Sequence, residues 1–100
     1  MFLRKVHPGG VLKDAIEESG LSISEAARQL CVPPNRLSQI VREERAISSD
    51  TALRLGKWLG TGPEIWMNMQ RSYDLVVAGE VMQGELSKIR PLKTDEPEAA

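Results

Sequence analysis

The 100-residue chain predicts an all-α fold, a five-helix orthogonal bundle, and three observations carry that prediction. Apolar residues recur at the 3.6-residue helical period, with no run of the two-residue alternation that marks strands. Capping residues, among them Ser22, Ser48, Gly20 and Gly60, divide the chain into helix-length pieces. Hydrophobic residues make up 41% but aromatics only 4%, so aliphatic side chains must build most of one core.

Residues 1–8 read as an extended lead-in. A first helix over residues 9–19 sets Val11, Leu12, Ala15 and Ile16 against Lys13, Asp14, Glu17 and Glu18, and Gly20 ends it. Ser22-Ile23-Ser24-Glu25 forms a capping box, in which Ser22 accepts from the backbone at Glu25 and Glu25 reaches back. The short helix Ile23–Leu30 then turns Ala26, Ala27 and Leu30 inward. Cys31-Val32-Pro33 is a break, because Pro33 and Pro34 suit only the entry of a helix. A third helix follows from Pro34 to Arg42, with Leu37, Ile40 and Val41 facing the core.

Ser48 or Ser49 caps a fourth helix with Asp50 near its positive end, and Ala52, Leu53, Leu55, Gly56 and Leu59 form its apolar face. Thr61-Gly62-Pro63-Glu64 reads as a second capping box. It opens a longer fifth helix to about Ala78, with Ile65, Trp66, Met69, Tyr73, Val76 and Val77. Trp58 and Trp66 are read as core more readily than as partner-binding, because large aromatics dominate burial, and Met67 and Met69 as core filler. Gly79 and Gly84 flank a weaker patch containing Val81 and Met82. Residues 1–80 are therefore read as the folded domain, and residues 81–100 as a polar, Pro-containing tail that is partly disordered.

Composition narrows the function. A chain of about 100 residues fits one domain, without a deep cavity for a large substrate. Cys31 is the only cysteine and His7 the only histidine, so no disulfide, zinc-ligand spacing or orienting third group for a catalytic dyad can be assembled. Cys31 is read as a small buried apolar side chain, and His7 as a surface residue. No catalytic residue, metal site or cofactor is expected, and the chain is not read as an enzyme. No apolar run approaches a membrane span, and the N-terminus lacks a signal-peptide core, so a cytoplasmic protein with no membrane partner is expected. The net charge is −1. Residues 1–60 nevertheless carry nine Lys+Arg against seven Asp+Glu, while residues 61–100 carry four against seven. The positive excess thus lies in the half that holds the motif described next, where phosphates would demand it.

Residues 22–42 place two short helices around a tight turn. Small Ala26 and Ala27 let the helices cross closely, Val32 plugs the corner, and the second helix keeps one exposed face carrying Asn35, Arg36, Gln39 and Arg42, with Ser38 beside them. These side-chain types read base edges: Arg pairs bidentately with guanine, Asn or Gln with adenine. The rival reading is an ordinary helical hairpin with a solvated polar face. That reading leaves unexplained why no acidic residue falls between Asn35 and Arg42, and why Ala27, Val32 and Leu37 are spaced as they are.

With those residues in view, the run SISEAARQLCVPPNRLSQIVR resembles the helix-turn-helix of phage repressors, the lambda-repressor-like fold, and of Xre-like regulators. The segments HPGGVL, RAISSDTALRL and GTGPEIWMNMQRSYDL narrow the resemblance, over residues 7–75, to antitoxins of the HigA/VapI type. The resemblance implies a homodimer that binds a palindromic double-stranded DNA operator in its own promoter and neutralises a ribonuclease toxin acting on translated mRNA. It places Asn35, Arg36 and Gln39 at base-reading positions, and Ser38, Arg42 and Arg45 at phosphates. Two departures stand out: Cys31 occupies a turn where Gly with positive φ is common, at a cost of roughly 1 kcal/mol, and Pro34 replaces the first exposed recognition residue. Glu43 and Glu44 also stand where a Gly and a basic residue are frequent. Symmetry calls for a self-complementary apolar patch. Tyr73, Val76 and Val77 on the fifth helix are the expected dimer interface, with Leu75 as the neighbour able to turn inward. The alternatives are a stand-alone repressor without a toxin and a pure protein-interaction module.

Overall fold

The structure, a computed structural model, describes residues 5–92. Its elements are α1 (Pro8–Ser19), α2 (Ile23–Leu30), α3 (Pro34–Val41), α4 (Ser49–Leu59), α5 (Glu64–Val81) and the single-turn α6 (Gln83–Leu86), with no strand among the described residues. The five expected helices are present. Between residues 81 and 92 every residue is exposed; residues 93–100 of the expected tail lie outside the described residues, as do residues 1–4 of the lead-in.

Helix α1 packs on α3 and α5, α2 on α3 and α4, and α4 on α5. The shared core is Leu12 and Ile16 from α1, Ala26, Ala27 and Leu30 from α2, Leu37 and Ile40 from α3, Ile47 from the following loop, Ala52 and Leu55 from α4, and Trp66 from α5. Ala26 and Ala27 are fully buried. Their methyl groups let α3 lie directly on α2, as the sequence predicts.

Two glycines permit the closest approaches of backbone to backbone. A Cβ on Gly9 would lie 1.9 Å from the Ile40 carbonyl oxygen, so the start of α1 rests on the end of α3. A Cβ on Gly56 would lie 2.4 Å from the Gly62 carbonyl carbon and 2.5 Å from the Pro63 nitrogen. The Gly62 N–H donates to the Gly56 carbonyl at 3.2 Å across that contact. The segments HPGG and GTGP are thus explained by packing.

Several expectations are corrected. His7 is buried, not on the surface: its Nδ1 accepts from the Gly9 N–H at 2.9 Å and caps α1, while its ring meets Tyr73 edge-on at 4.9 Å. Ser22 caps α2 through the Glu25 N–H, but Glu25 does not reach back; its carboxylate is held by Arg28 and Gln29 instead. No Thr61 box opens α5. Pro63 precedes it without a side-chain cap, and the Thr61 hydroxyl accepts from the Trp66 indole N–H at 3.0 Å. Leu53 is 62% exposed, because no element among the described residues covers that edge of α4, and Ile65 and Leu75 are exposed as well. Trp66 is core; Trp58 is half-buried and donates to the Gln29 side chain.

Helix α5 also fixes the loop behind α3. Gln70 is buried, its Oε1 accepts from the Ile47 N–H at 2.8 Å, and its Nε2 donates to Asp74. A buried amide with both ends satisfied is a rigid spacer, so the position of α3 is referred to the longest helix of the molecule.

Candidate nucleic-acid interface

The turn between α2 and α3 is closed by two backbone hydrogen bonds. Cys31 has φ 59°, in the left-handed region, with its N–H donating to Arg28 and the Val32 N–H to Ala27. This pair of bonds is a Schellman closure with a side chain where glycine is usual. Cys31 is exposed, so its reading as a buried apolar residue is corrected: in this conformation its side chain leaves the core, and Val32 packs there in its place. Pro33 then adopts φ −62° and ψ 140°, and Pro34 starts α3 where no N–H is needed. The far end of α3 repeats the device. Glu43 has φ 63°, its N–H donates to Ile40, and the Glu44 N–H donates to Gln39. Two left-handed non-glycine residues therefore bracket the helix.

Leu37 and Ile40 are buried and Val41 half-buried, which leaves the opposite face of α3 outward. Asn35 and Arg42 are fully on that face, with Gln39 between them and Ser38 on one flank, both half-buried. Arg36 lies on the other flank, toward α4. Its side chain is only 28% exposed, and its Nη1 is 3.0 Å from Asp50 Oδ1. Arg45 reaches back to the helix and donates to the Gln39 Oε1 at 3.1 Å. A guanidinium has only donors, so this contact fixes the oxygen of Gln39 toward Arg45 and turns its amide NH₂ outward. Arg42 pairs with Glu44 at 3.3 Å, so part of its charge is spent within the chain.

Two residues of this surface were not singled out as site residues from sequence, Asp50 and Arg54. Asp50 Oδ1 accepts from Arg54 Nε at 2.8 Å as well as from Arg36. Arg54 Nη1 donates to the carbonyls of Leu30 (3.1 Å) and Cys31 (3.2 Å) at the C-terminal end of α2, where a cation is favoured by the helix dipole. The Arg54 hydrogen bond, with the smaller contribution of Arg36, holds the Asp50 carboxyl below the usual carboxylate range, so it stays ionised between two cations. The signal available in sequence was the i,i+4 spacing of Asp50 and Arg54 on α4. The partner across the turn could not be read.

The surface that results has Asn35, Gln39 and Arg42 outward, Arg36 and Arg45 at its edges, and no carboxylate within the helix itself. It can offer several N–H donors to base edges and positive charge to phosphates.

Residues 12–66 match the helix-turn-helix family. Among its relatives, the chain is 43% identical over 91 residues to virulence-associated protein I of Dichelobacter nodosus, covering 90% of this chain and 83% of that one. The fold is similar to that of the Pseudomonas aeruginosa antitoxin HigA solved with the higBA promoter: TM-score 0.85, 38% identity, 90% of this chain and 100% of the other. It is also similar to an addiction module antidote protein of a HigA family from Coxiella burnetii, with TM-score 0.82, 35% identity and the same two coverages. The chain belongs to the helix-turn-helix family and, within it, to the HigA/VapI antitoxin type.

Proposed function

We propose that this chain is the DNA-binding antitoxin of a type II toxin–antitoxin module, working in the cytoplasm as a homodimer that represses its own promoter and neutralises a ribonuclease toxin. The observation that carries the DNA-binding part is the outward face of α3, where Asn35 and Arg42 are exposed, half-buried Gln39 lies between them, and Arg36 and Arg45 flank them. In this reading Asn35, Arg36 and Gln39 read bases, and Ser38, Arg42 and Arg45 meet phosphates. A relative of the same fold solved with promoter DNA supports the operator as ligand. No helix among the described residues is long and apolar enough to cross a membrane. In this reading the DNA-binding domain is residues 1–80, and the family is one of DNA-binding regulators rather than catalysts.

One recognition helix spans only a few base pairs, so a specific address needs two copies about 34 Å apart along the duplex. Helix α5 supports the pairing, with Tyr73, Val76 and Val77 as its interface. These three keep part of their surface in solvent, while exposed Leu75 and Met67 lie on a different face of the same helix, the one that carries Gln70 and Ala78. Replacing Val76 and Val77 together with Glu puts two charges into that interface. The expected result is a folded monomer in sedimentation; an unaltered dimer would put the interface elsewhere.

Two experiments test the whole reading. A titration of the full chain against its own promoter DNA should give binding tighter than to a scrambled duplex by a factor on the order of 10³ or more. Co-expression with the adjacent gene product should give a stable complex; a chain that binds its promoter but captures no neighbour is the stand-alone repressor.

A further inference from the structure

The Arg36–Asp50–Arg54 cluster joins three elements that the operator reading treats separately. Arg36 belongs to the first turn of α3, Asp50 and Arg54 to α4, and the carbonyls of Leu30 and Cys31, which Arg54 holds, belong to the end of α2. Asp50 is 57% exposed, so it is a surface carboxylate set beside a helix proposed to face a polyanion. An isolated carboxylate there would repel DNA. Its single Oδ1 is instead shared by two guanidinium groups, and the cluster carries one net positive charge.

We infer that Asp50 is a specificity-determining residue of the operator complex: it positions the Arg36 guanidinium at the α3–α4 edge, so that Arg36 reads its base as a pre-oriented donor. The inference rests on the operator-binding reading. Free Arg side chains sample many rotamers and pair with any phosphate in reach. Asp50 takes one of the five N–H donors of Arg36 and leaves the others in a fixed fork. A base that offers two acceptors side by side, guanine through O6 and N7, fits such a fork. A phosphate competes poorly, because Arg36 would have to leave Asp50 to follow the backbone. Asp50 therefore lowers affinity for DNA in general and raises preference for one base pair. Arg54 acts on the same carboxylate from the other side and ties that geometry to the end of α2.

The opposed signs make the inference testable. The full chain, Asp50→Ala, Asp50→Asn, Arg36→Ala and the Arg36→Ala/Asp50→Ala double variant are titrated at one salt concentration. The probes are the chain's own promoter duplex, a set of its single-base-pair variants, and a scrambled duplex. Asp50→Ala is expected to bind the scrambled duplex more tightly than the parent. It should also lose roughly tenfold or more of its discrimination at one base pair, and that base pair should be the one at which Arg36→Ala loses discrimination. The double variant should discriminate no worse there than Arg36→Ala alone. Asp50→Asn keeps the volume and an acceptor oxygen but not the charge, and it should lose part of the same discrimination at an unchanged melting temperature, which guards against a folding defect. Additive losses in the double variant would overturn the inference. So would full discrimination retained by Asp50→Ala, or weakening on every duplex in parallel. A parent chain without preference for its own promoter would overturn the operator reading and this inference together, whereas a parent preference that survives in both Asp50 variants overturns the role of Asp50 alone.

Discussion

Glycine stands at two places in this chain where backbone leaves no room for a side chain, and it is missing from two corners where backbone conformation would favour it. Gly9 and Gly56 belong to the scaffold: each lets one segment rest on another at a distance that a Cβ would forbid. Cys31 and Glu43 belong to the two ends of α3, both in the left-handed region at φ 59° and φ 63°. The first pair is fixed by sterics, the second by a conformational preference of about 1–2 kcal/mol per residue. The scaffold allows no side chain. The corners carry side chains at a cost in stability, and both side chains project into solvent beside the proposed DNA-binding face.

Breaking the scaffold contacts should have the largest effect. In Gly56→Ala the new methyl meets backbone atoms of Gly62 and Pro63, and in Gly9→Ala it meets the Ile40 carbonyl; neither can swing aside as a side chain would. Each substitution should cost about 3 kcal/mol or more, lowering the melting temperature by more than roughly 12 °C. A change of only a few degrees in thermal unfolding would show that the segments are not in contact.

At the corners the sign reverses. Cys31→Gly and Glu43→Gly should each stabilise the fold by about 1 kcal/mol, raising the melting temperature by roughly 4–8 °C. A loss of stability at either site would mean that its side chain holds the turn. The smallest effect concerns Glu25, on the exposed side of α2. Hydrogen bonds from Arg28 and then Gln29 lower its pKa from 4.5 to about 2. A carboxyl whose pKa is depressed by folding favours the folded state above its unfolded value, and that contribution disappears as pH falls from 4.5 through about 2. Denaturant titrations of the parent and Glu25→Gln should therefore differ slightly at pH 6 and converge at pH 2. A gap that widens on acidification would contradict the pairing.

Much of the fold was legible because its signals are local. Ser22, Ser48 and Gly20 act on backbone within a few residues of themselves, so the helix limits came close to those observed. What escaped depends on neighbours distant in sequence. His7 looks like a surface residue until the Tyr73 ring closes over it, and the Thr61 hydroxyl matches a cap until the Trp66 indole takes it. Leu53 and Leu75 fit an apolar period, but periodicity does not say which edges a partner element covers. At the candidate site the residue types on α3 were readable from spacing. The flank position of Arg36 and its tie to Asp50 were not, because the partner sits on a helix whose crossing angle is set by core packing.

The proposal that the outward face of α3 reads the operator is tested most directly by Gln39. Its half-buried side chain lies at the centre of that face, and its oxygen is held by Arg45. Parent and Gln39→Ala are titrated against the chain's own promoter duplex and a scrambled duplex at equal salt, with melting temperatures measured alongside. The expected result is a loss of roughly 1–3 kcal/mol on the promoter duplex, little change on the scrambled one, and a melting temperature within about 2 °C of the parent. Equal affinity of parent and variant for the promoter duplex would contradict it and move base reading off this face.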